Sequence, residues 1–298
     1  MRAESMDAVR GVLRVLDGLI KFRQTLLLTL SMYAAFLVAG GYREPPQLHA
    51  EVLVIGFASI AATTAINMVF DRDIDALMDR TASRPLPSGV VRPEPVLAAS
   101  LVVVAASAAA GWLLVNPYYA CSILAGFFFD IVAYTLLLKR RTPLSIIAGS
   151  LAGGAPAFGG WVAARGVPGV GALAFSMLIV AWVPAHIWFL ALHYRDDYRA
   201  AMVPMLPVVS GPVTVGVAVA LASVFQAYSV AILYASGEVG VTPLAYAVAS
   251  SIHMFKLSMG VCSGQTDYIK KFKTVNIHLG ILLTLMMLDA VLGKPLGL

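Results

Sequence analysis

Three oxygen-bearing side chains recur every four residues where a long apolar stretch becomes charged. In the segment INMVFDRDIDALMDRTASRPLPSG, residues 66–89, they are Asn67, Asp71 and Asp75. On an α-helix these positions share one face, and carboxylates stacked in this way repel one another unless a divalent cation lies between them. Mg²⁺ prefers oxygen ligands and keeps positions for water and substrate phosphate. The spacing therefore favours a Mg²⁺–diphosphate site over the alternative, a solvated loop with internal ion pairs.

A second charged cluster follows another apolar stretch, in WVPAHIWFLALHYRDDYR, residues 182–199. His186 and His193 are seven residues apart and share a helix face, and Asp197 lies four residues after His193, next to Asp196. Ionisable residues near a membrane are costly unless they face a cavity or a partner. We expect both clusters to form one shared site, although His186 also fits a buried, hydrogen-bonded histidine and RDDYR an interfacial charge run.

Cationic residues suited to a diphosphate lie beside both clusters. The segment YTLLLKRRTP, residues 134–143, places Lys139, Arg140 and Arg141 directly after an apolar run. A diphosphate needs positive donors as well as a metal ion, and these side chains supply them, although the same pattern also suits simple anchoring at a membrane surface. Further candidates are Lys21, Arg23, Arg72, Arg80 and Arg84.

The elements that must position these residues are membrane-spanning helices. Of the 298 residues, 59% are hydrophobic and 12% are charged, a balance that excludes an ordinary soluble domain. Since runs of about 20 apolar residues cross a bilayer, we predict an all-α, polytopic membrane protein. It forms a single domain over residues 1–298, with residues 1–20 as a polar N-terminal lead-in. The nine predicted spans are residues 24–42, 50–70, 95–115, 117–138, 145–164, 170–192, 212–235, 242–262 and 275–293.

Lysine and arginine residues concentrate on one side of these spans. Most of the 21 lie in the N-terminal segment and in the loops after the second, fourth, sixth and eighth spans. The positive-inside rule places that side in the cytoplasm, so we predict a multi-pass protein of the cell membrane with a cytoplasmic N-terminus. The net charge of +5 follows from the same bias and does not indicate nucleic-acid binding.

Glycine and proline cluster near the start of the fifth span, in GSLAGGAPAFGG, residues 149–160. A bilayer helix tolerates these residues where a cavity or neighbouring protein satisfies the freed backbone groups. Small residues also allow helices to pack closely. The segment therefore predicts either a cavity wall or a close helix contact.

These motifs together resemble those of the UbiA-type intramembrane prenyltransferases. The pattern N-x-x-x-D-x-x-x-D after the second span is the first signature of that family. The segments DRDIDALMDRTASRPLPSG, YTLLLKRRTP, HIWFLALHYRDDY and PMLPVV are most similar to its haem-farnesylating branch. The resemblance implies nine transmembrane helices that enclose a central cavity open to the cytoplasmic side.

The resemblance also implies roles for individual residues. The implied catalytic residues are Asn67, Asp71, Asp75, Asp196 and Asp197. The implied Mg²⁺ ligands are Asn67, Asp71, Asp75 and Asp197. The implied diphosphate-binding residues are Arg23, Arg72, Lys139 and Arg140. The candidates for haem contact are His186 and His193.

The reaction implied by the resemblance is transfer of a farnesyl group from farnesyl diphosphate to a vinyl group of haem b, with Mg²⁺ as cofactor. Positive charge would stabilise the departing diphosphate, and the vinyl group would attack the allylic cation left behind. Both substrates are lipophilic, which suits a site within the lipid bilayer. A haem-A synthase or a terminal oxidase under assembly is the implied protein partner.

The chain departs from the family pattern at two positions. The second motif is commonly D-x-x-x-D, whereas His193 occupies its first position here, which leaves the number of Mg²⁺ ions open. The haem branch usually has glycine where this chain has Met202, and we expect a local change in that loop without loss of function.

Three other functions are compatible with parts of the sequence. The first is a prenyltransferase of the same type that acts on a quinone precursor or a glycerol phosphate lipid. The second is a secondary transporter, because transporters also contain broken helices and buried charges, although their coupling sites lie near the midplane. The third is a haem-protein assembly factor without turnover of its own.

Overall fold

The computed structural model describes residues 15 and 17–293, and its regular elements in that part of the chain are all helical. The helices are α1 (Phe22–Val38), α2 (Pro46–Asp75), α3 (Pro93–Val115), α4 (Pro117–Leu138), α5 (Ser145–Arg165), α6 (Val170–His193), α7 (Arg195–Ala200), α8 (Leu206–Val209), α9 (Pro212–Ala235), α10 (Val241–Cys262) and α11 (Tyr268–Val291). The last five residues of α3 and the second half of α4, Phe128–Leu138, are π-helical.

Within the described residues, seven helices are long and apolar enough to cross a membrane: α2, α3, α4, α5, α6, α9 and α11. Helix α1 is apolar but shorter, and α10 is not among the seven. The prediction of an all-α, multi-pass membrane protein is therefore confirmed. Nine crossings and a cavity that opens to the cytoplasmic side stay predictions.

Proline marks where several of these helices begin. Pro46, Pro93, Pro117 and Pro212 each occupy a first-turn position, where the missing N–H is not needed and the fixed φ angle suits a helix. The Asn116 side chain caps α4 by accepting a hydrogen bond of 2.9 Å from the backbone N–H of Tyr119. The sequence thus fixes helix starts locally, before any packing.

The centre of the bundle is the pair α5 and α6. Helix α1 packs on α5, and α6 also contacts α9 and α11, while α2 lies against α1 and α3. Fully buried side chains at the centre include Phe36, Phe175, Leu178, Ile179 and Phe189. Because lipid is as apolar as these side chains, close packing holds such a bundle together more than the hydrophobic effect does.

The glycine-rich segment of α5 is a close helix contact. A Cβ atom at Gly160 would collide with the backbone carbonyl of Met32 on α1, and one at Gly159 would collide with the Ser122 side chain on α4. Both glycines are buried. Of the two predicted roles for residues 149–160, the structure supports close packing through small residues.

Charged loops collect at one end of the bundle, which we call the charged end: residues 17–21 before α1, the α2–α3 loop, residues 139–143 and the α7–α8 region. Met202, in the last of these, has a left-handed backbone with φ of 54° and an exposed side chain. Glycine adopts this φ without strain, whereas other residues do so at a cost. The loop at Met202 therefore has a backbone suited to the glycine that the family pattern predicts there.

Candidate active site

Asn67, Asp71 and Asp75 lie on one buried face of α2, and each is less than one-tenth exposed. Asn67 is held from two sides: its amide donates to Thr135 Oγ1 at 2.8 Å, and its carbonyl oxygen accepts from Lys21 Nζ at 3.2 Å. Helix periodicity thus places the three side chains together, as the four-residue spacing predicts. We call these three residues the acidic face.

Asp71 forms a buried ion pair with Lys139, through its Oδ2 atom. Burial alone would lower the pKa of Lys139, but the Asp71 carboxylate, together with Tyr134 and Tyr198, more than offsets burial and holds that pKa above its usual range. The other carboxylate oxygen, Asp71 Oδ1, is buried and has no hydrogen-bond partner in the described part of the chain. An unpaired buried carboxylate oxygen is unfavourable unless a further ligand satisfies it.

The loop after α2 folds back over the end of its own helix. Arg84 pairs with Asp75, with 3.0 Å between Nη1 and Oδ2, and the fully buried Thr81 hydroxyl donates to the Asp75 backbone carbonyl at 2.8 Å. The loop therefore delivers a second cation to the acidic face.

Lys21 brings a third cation to this face from the start of α1. Burial and the neighbouring Arg84 lower the pKa of Lys21 to about 8, while Asp71 and Asp75 act in the opposite direction. Its backbone is left-handed, with φ of 46°, which is a strained conformation for a residue other than glycine. Such strain is often found where a side chain must be held in a functional position.

The segment after α6 reaches the same end of the bundle. Asp197 Oδ2 accepts a hydrogen bond of 3.4 Å from the backbone N–H of Arg80, in the α2–α3 loop. The Arg80 guanidinium lies 5.1 Å from the centre of the Tyr194 ring. Ile74 packs in one apolar cluster with Tyr198. The ends of α2 and α6 therefore converge, as the two-cluster prediction requires.

The structure does not bring every predicted residue to the acidic face. Asp196 is exposed and pairs with Arg199 at 2.9 Å. His193 is exposed too and packs edge-on against Tyr194, with ring centres 4.6 Å apart. Helix α6 ends at His193, so these residues do not continue its buried face.

Three predicted diphosphate ligands also lie away from this face. Arg140 forms a two-pronged ion pair with Asp73 at 2.7 and 2.6 Å, on the exposed side of α2. Arg72 donates to the Val69 carbonyl at 2.9 Å, and Arg23 is exposed. Of the four cations predicted to bind diphosphate, Lys139 contacts the acidic face, and Lys21 rather than Arg23 reaches it from α1.

His186 occupies a defined position between α6 and α11. Its Nδ1 atom lies 2.6 Å from the side-chain oxygen of Asn276, and its ring lies between Trp182 and Phe272, 4.4 and 4.7 Å between ring centres. In the tautomer whose Nδ1–H donates to the Asn276 oxygen, Nε2 has a lone pair and no hydrogen-bond partner within the described residues. In that tautomer His186 can bind an electron-poor atom.

Residues outside the predicted set also shape the site. Thr135 receives the Asn67 amide and donates to the Asp130 carbonyl at 2.6 Å, and Asp130 interacts electrostatically with Lys21, Asp71 and Lys139. The signal that reveals them is a polar residue within an apolar span, as in FFFDIVAYT. Asn276 in α11 carries the same signal.

The acidic face offers oxygen donors suited to Mg²⁺, but its two carboxylates are paired with the side chains of Lys139 and Arg84. Across residues 15 and 17–293, no three histidine, cysteine or acidic side chains come together as a metal cluster. The Mg²⁺ ligand set therefore stays a prediction. The free Asp71 Oδ1 and the oxygen chemistry of Asn67 and Asp75 are compatible with it.

A membrane-embedded helical bundle with buried acids, an amide and surrounding cations at one end is the architecture of an intramembrane prenyltransferase. The chain belongs to the UbiA prenyltransferase family, whose model matches residues 27–277. The resemblance drawn from the motifs is confirmed, and so is the prediction of a prenyltransferase. The transporter and the assembly factor without turnover are thereby set aside.

Several relatives match most of the chain. The protoheme IX farnesyltransferase of Hyperthermus butylicus is 48% identical over 97% of this chain and 98% of its own length. That of Aeropyrum pernix is 44% identical over 76% of each chain, and that of Archaeoglobus fulgidus is 34% identical over 90% of this chain and 95% of its own.

Solved structures share the fold at lower identity. A digeranylgeranylglyceryl phosphate synthase superposes with a TM-score of 0.77 at 17% identity and covers 94% of this chain and 99% of its own. A UbiA homolog from Archaeoglobus fulgidus bound to GPP and Mg²⁺ has a TM-score of 0.67 at 15% identity and covers 94% of this chain and 100% of its own. These likenesses establish the fold alone.

Proposed function

We propose that the protein transfers the farnesyl group of farnesyl diphosphate to a vinyl group of haem b and uses Mg²⁺ as cofactor. The observation that carries this proposal is the acidic face: Asp71 has a buried oxygen without a hydrogen-bond partner in the described part of the chain, and each of the three residues of this face contacts one cationic side chain. The choice of haem rests on the relatives, because those 34–48% identical to this chain are named protoheme IX farnesyltransferases.

The donor set fits Mg²⁺, and we assign Asn67, Asp71, Asp75 and Asp197 as its ligands. Bound there with the diphosphate, Mg²⁺ would supply positive charge against the phosphate oxygens. In support of Asp197, its carboxylate accepts a hydrogen bond from the Arg80 backbone in the α2–α3 loop, whereas Asp196 is exposed and pairs with Arg199. We therefore assign the metal-binding role of the second motif to Asp197 alone.

Three cations of the chain serve the leaving group in this proposal. Lys21, Lys139 and Arg84 each contact the acidic face, and each can turn from a carboxylate or amide toward a phosphate oxygen. Fixed cations aimed at developing negative charge stabilise it without reorganisation at the moment of reaction. The more exposed Arg23, Arg72 and Arg140 would attract the diphosphate at the rim of the site.

The bond changes need no strong general base. The C1–O bond of farnesyl diphosphate breaks, and its electron pair leaves with the diphosphate. The vinyl π electrons then form a bond to C1, and water adds to the resulting cation and loses one proton. The product is a haem with a hydroxyethylfarnesyl side chain, which is haem O. Tight enclosure by buried α2 residues would keep water from the allylic cation before the vinyl group reaches it.

We assign His186 as an axial ligand of the haem iron during this reaction. Its free Nε2 lone pair and the flanking rings of Trp182 and Phe272 suit a flat porphyrin. Asn67 is eight residues from the end of α2 and His186 seven from the end of α6, so both lie roughly 10–12 Å from the charged end. The exposed His193 would contact a propionate group at the rim.

The setting of the reaction follows from charge distribution. We propose that the charged end faces the cytoplasm and that the protein lies in the cell membrane with a cytoplasmic N-terminus, because lysine and arginine concentrate at that end. The product would pass to a haem-A synthase or to a terminal oxidase during its assembly.

The deciding experiment uses the purified protein in liposomes with haem b, farnesyl diphosphate and Mg²⁺, analysed by mass spectrometry for haem O. Parallel reactions offer 4-hydroxybenzoate or a glycerol phosphate lipid as acceptor. We expect haem O alone, and none after EDTA treatment or in Asp71→Asn. Prenylation of either other acceptor without formation of haem O would show that the haem assignment is wrong.

A further inference from the structure

A chain of three polar side chains crosses the outer surface between α10 and α11. The Tyr246 hydroxyl lies 2.8 Å from His278 Nδ1, and His278 Nε2 lies 2.9 Å from His253 Nδ1. His253 is exposed, and its Nε2 atom contacts no hydrogen-bonding partner within the described residues. None of these residues is on α2 or α6, which carry the acidic face and His186.

The position of His253 in its helix places it within the apolar part of the bundle. It lies nine residues before Cys262, so it is about 14 Å from that end of α10. The residues next to it or to His278 along the two helices include the exposed apolar side chains Ile252, Phe255 and Ile277. With α10 crossing the membrane as the sequence predicts, this exposed imidazole faces lipid, which is costly, and ionisable groups at such sites generally have a function.

The hydrogen-bond chain can orient His253 as a ligand. Histidines that bind a metal usually donate their other N–H to a partner, which fixes the tautomer and the ring direction. If His253 Nδ1–H donates to His278 and His278 Nδ1–H donates to Tyr246, the lone pair of His253 Nε2 points outward. Tyr246 and His278 then act as positioning residues.

The apolar surroundings select the kind of metal. A hydrated ion does not enter hydrocarbon, so a metal that reaches this surface must arrive inside a lipophilic complex with an open axial position. A haem meets this requirement because its ring is apolar and its iron accepts an imidazole. Lys256, three residues after His253 and also exposed, lies toward the charged end and suits a propionate.

We propose that His253 is an axial ligand for haem iron at the membrane-facing surface, and that this surface captures haem from the bilayer before it enters the catalytic site. The proposal rests on haem as the acceptor. Its test measures binding without turnover, so that its failure can be distinguished from failure of the proposed reaction.

The experiment titrates haem b into the purified protein in nanodiscs without farnesyl diphosphate and follows the Soret band. Metal-free protoporphyrin IX, which has no iron to ligate, is titrated in parallel by fluorescence. We expect His253→Leu to lose one equivalent of histidine-ligated haem while protoporphyrin IX affinity stays within twofold. His278→Leu should weaken haem binding at this surface by about 10–100-fold, and His278→Gln, which can still accept from His253, should restore most of it.

His49 provides a matched control. It forms a similar pair with Tyr33, 2.8 Å between Nδ1 and the hydroxyl, but at a different place, between α1 and α2. His49→Leu should leave haem stoichiometry unchanged. An unaltered haem stoichiometry in His253→Leu, or an equal loss of haem and protoporphyrin IX, would overturn the proposal. If His253→Leu behaves as expected but wild type makes no haem O, the reaction is wrong and the binding site stands.

Discussion

The buried pair between Asp71 and Lys139 permits a test that separates stability from catalysis. Its side chains are 4% and 11% exposed, so removing either partner leaves the other charge in a poorly solvated site. Breaking a buried ion pair in this way costs about 3–5 kcal/mol of unfolding free energy. We expect Asp71→Asn and Lys139→Met each to lose about this amount. The double variant removes both charges and should lose much less than the sum, with a coupling of about 2 kcal/mol or more.

Catalysis should behave differently from stability across the same three variants. Loss of one preorganised electrostatic contact lowers kcat by about 10²–10³-fold, so Lys139→Met should retain weak activity. Asp71→Asn should be inactive, and the double variant should be equally inactive although its loss of stability is smaller than the sum of the two single losses.

The assay combines denaturant unfolding in detergent micelles with haem O formation in liposomes, on the same preparations. If the double variant loses as much stability as the two single variants added together, Asp71 and Lys139 do not stabilise each other as a buried ion pair. Activity above one-tenth of wild type in Asp71→Asn would refute the role of its carboxylate, provided that both single variants are folded at the assay temperature.

Four further predictions follow from the same geometry. Because Lys21 has a pKa lowered to about 8 and acts as a cation, kcat/KM should fall as pH rises through about 8, and Lys21→Arg should move that fall to higher pH. Asp197→Asn should lower kcat by about 100-fold or more, whereas Asp196→Asn, which alters an exposed pair, should change it by less than about threefold. Arg84→Gln should raise KM for farnesyl diphosphate about tenfold, measured at saturating haem, and an unchanged KM would contradict its role. Met202→Gly should raise the unfolding free energy by roughly 0.5–1 kcal/mol, since glycine relieves the left-handed strain at some cost in chain entropy.

The sequence could predict those features that depend on local periodicity. Apolar runs locate the helices, and the four-residue spacing places Asn67, Asp71 and Asp75 on one face, because both depend only on helix geometry. The same reasoning fails for the second cluster. It assumes that α6 continues, whereas Tyr194 leaves helical geometry, so that His193 and Asp196 turn outward.

The cations around the acidic face could not be chosen from sequence for a related reason. Lys21 and Arg23 are two residues apart, and the direction of each depends on where α1 begins. Arg84 reaches Asp75 only through the tertiary path of the α2–α3 loop. In α4 the π-helical turns change the direction in which Asp130 and Thr135 point. A prediction that assumes the α-helical period of 3.6 residues therefore does not place them toward the site.

The contact between Gly160 and Met32 has a consequence at the far end of α1. Since the Met32 carbonyl lies against the bare Cα of Gly160, α1 cannot slide lengthwise along α5 without a collision. Lys21 begins the same helix eleven residues earlier, about 16 Å away. The position of the Lys21 ammonium group relative to the carboxylates of α2 is therefore fixed by the uncharged contact between Met32 and Gly160 within the membrane. Even a methyl group added at Gly160 would displace a cation that it never touches, and diphosphate affinity would change with it.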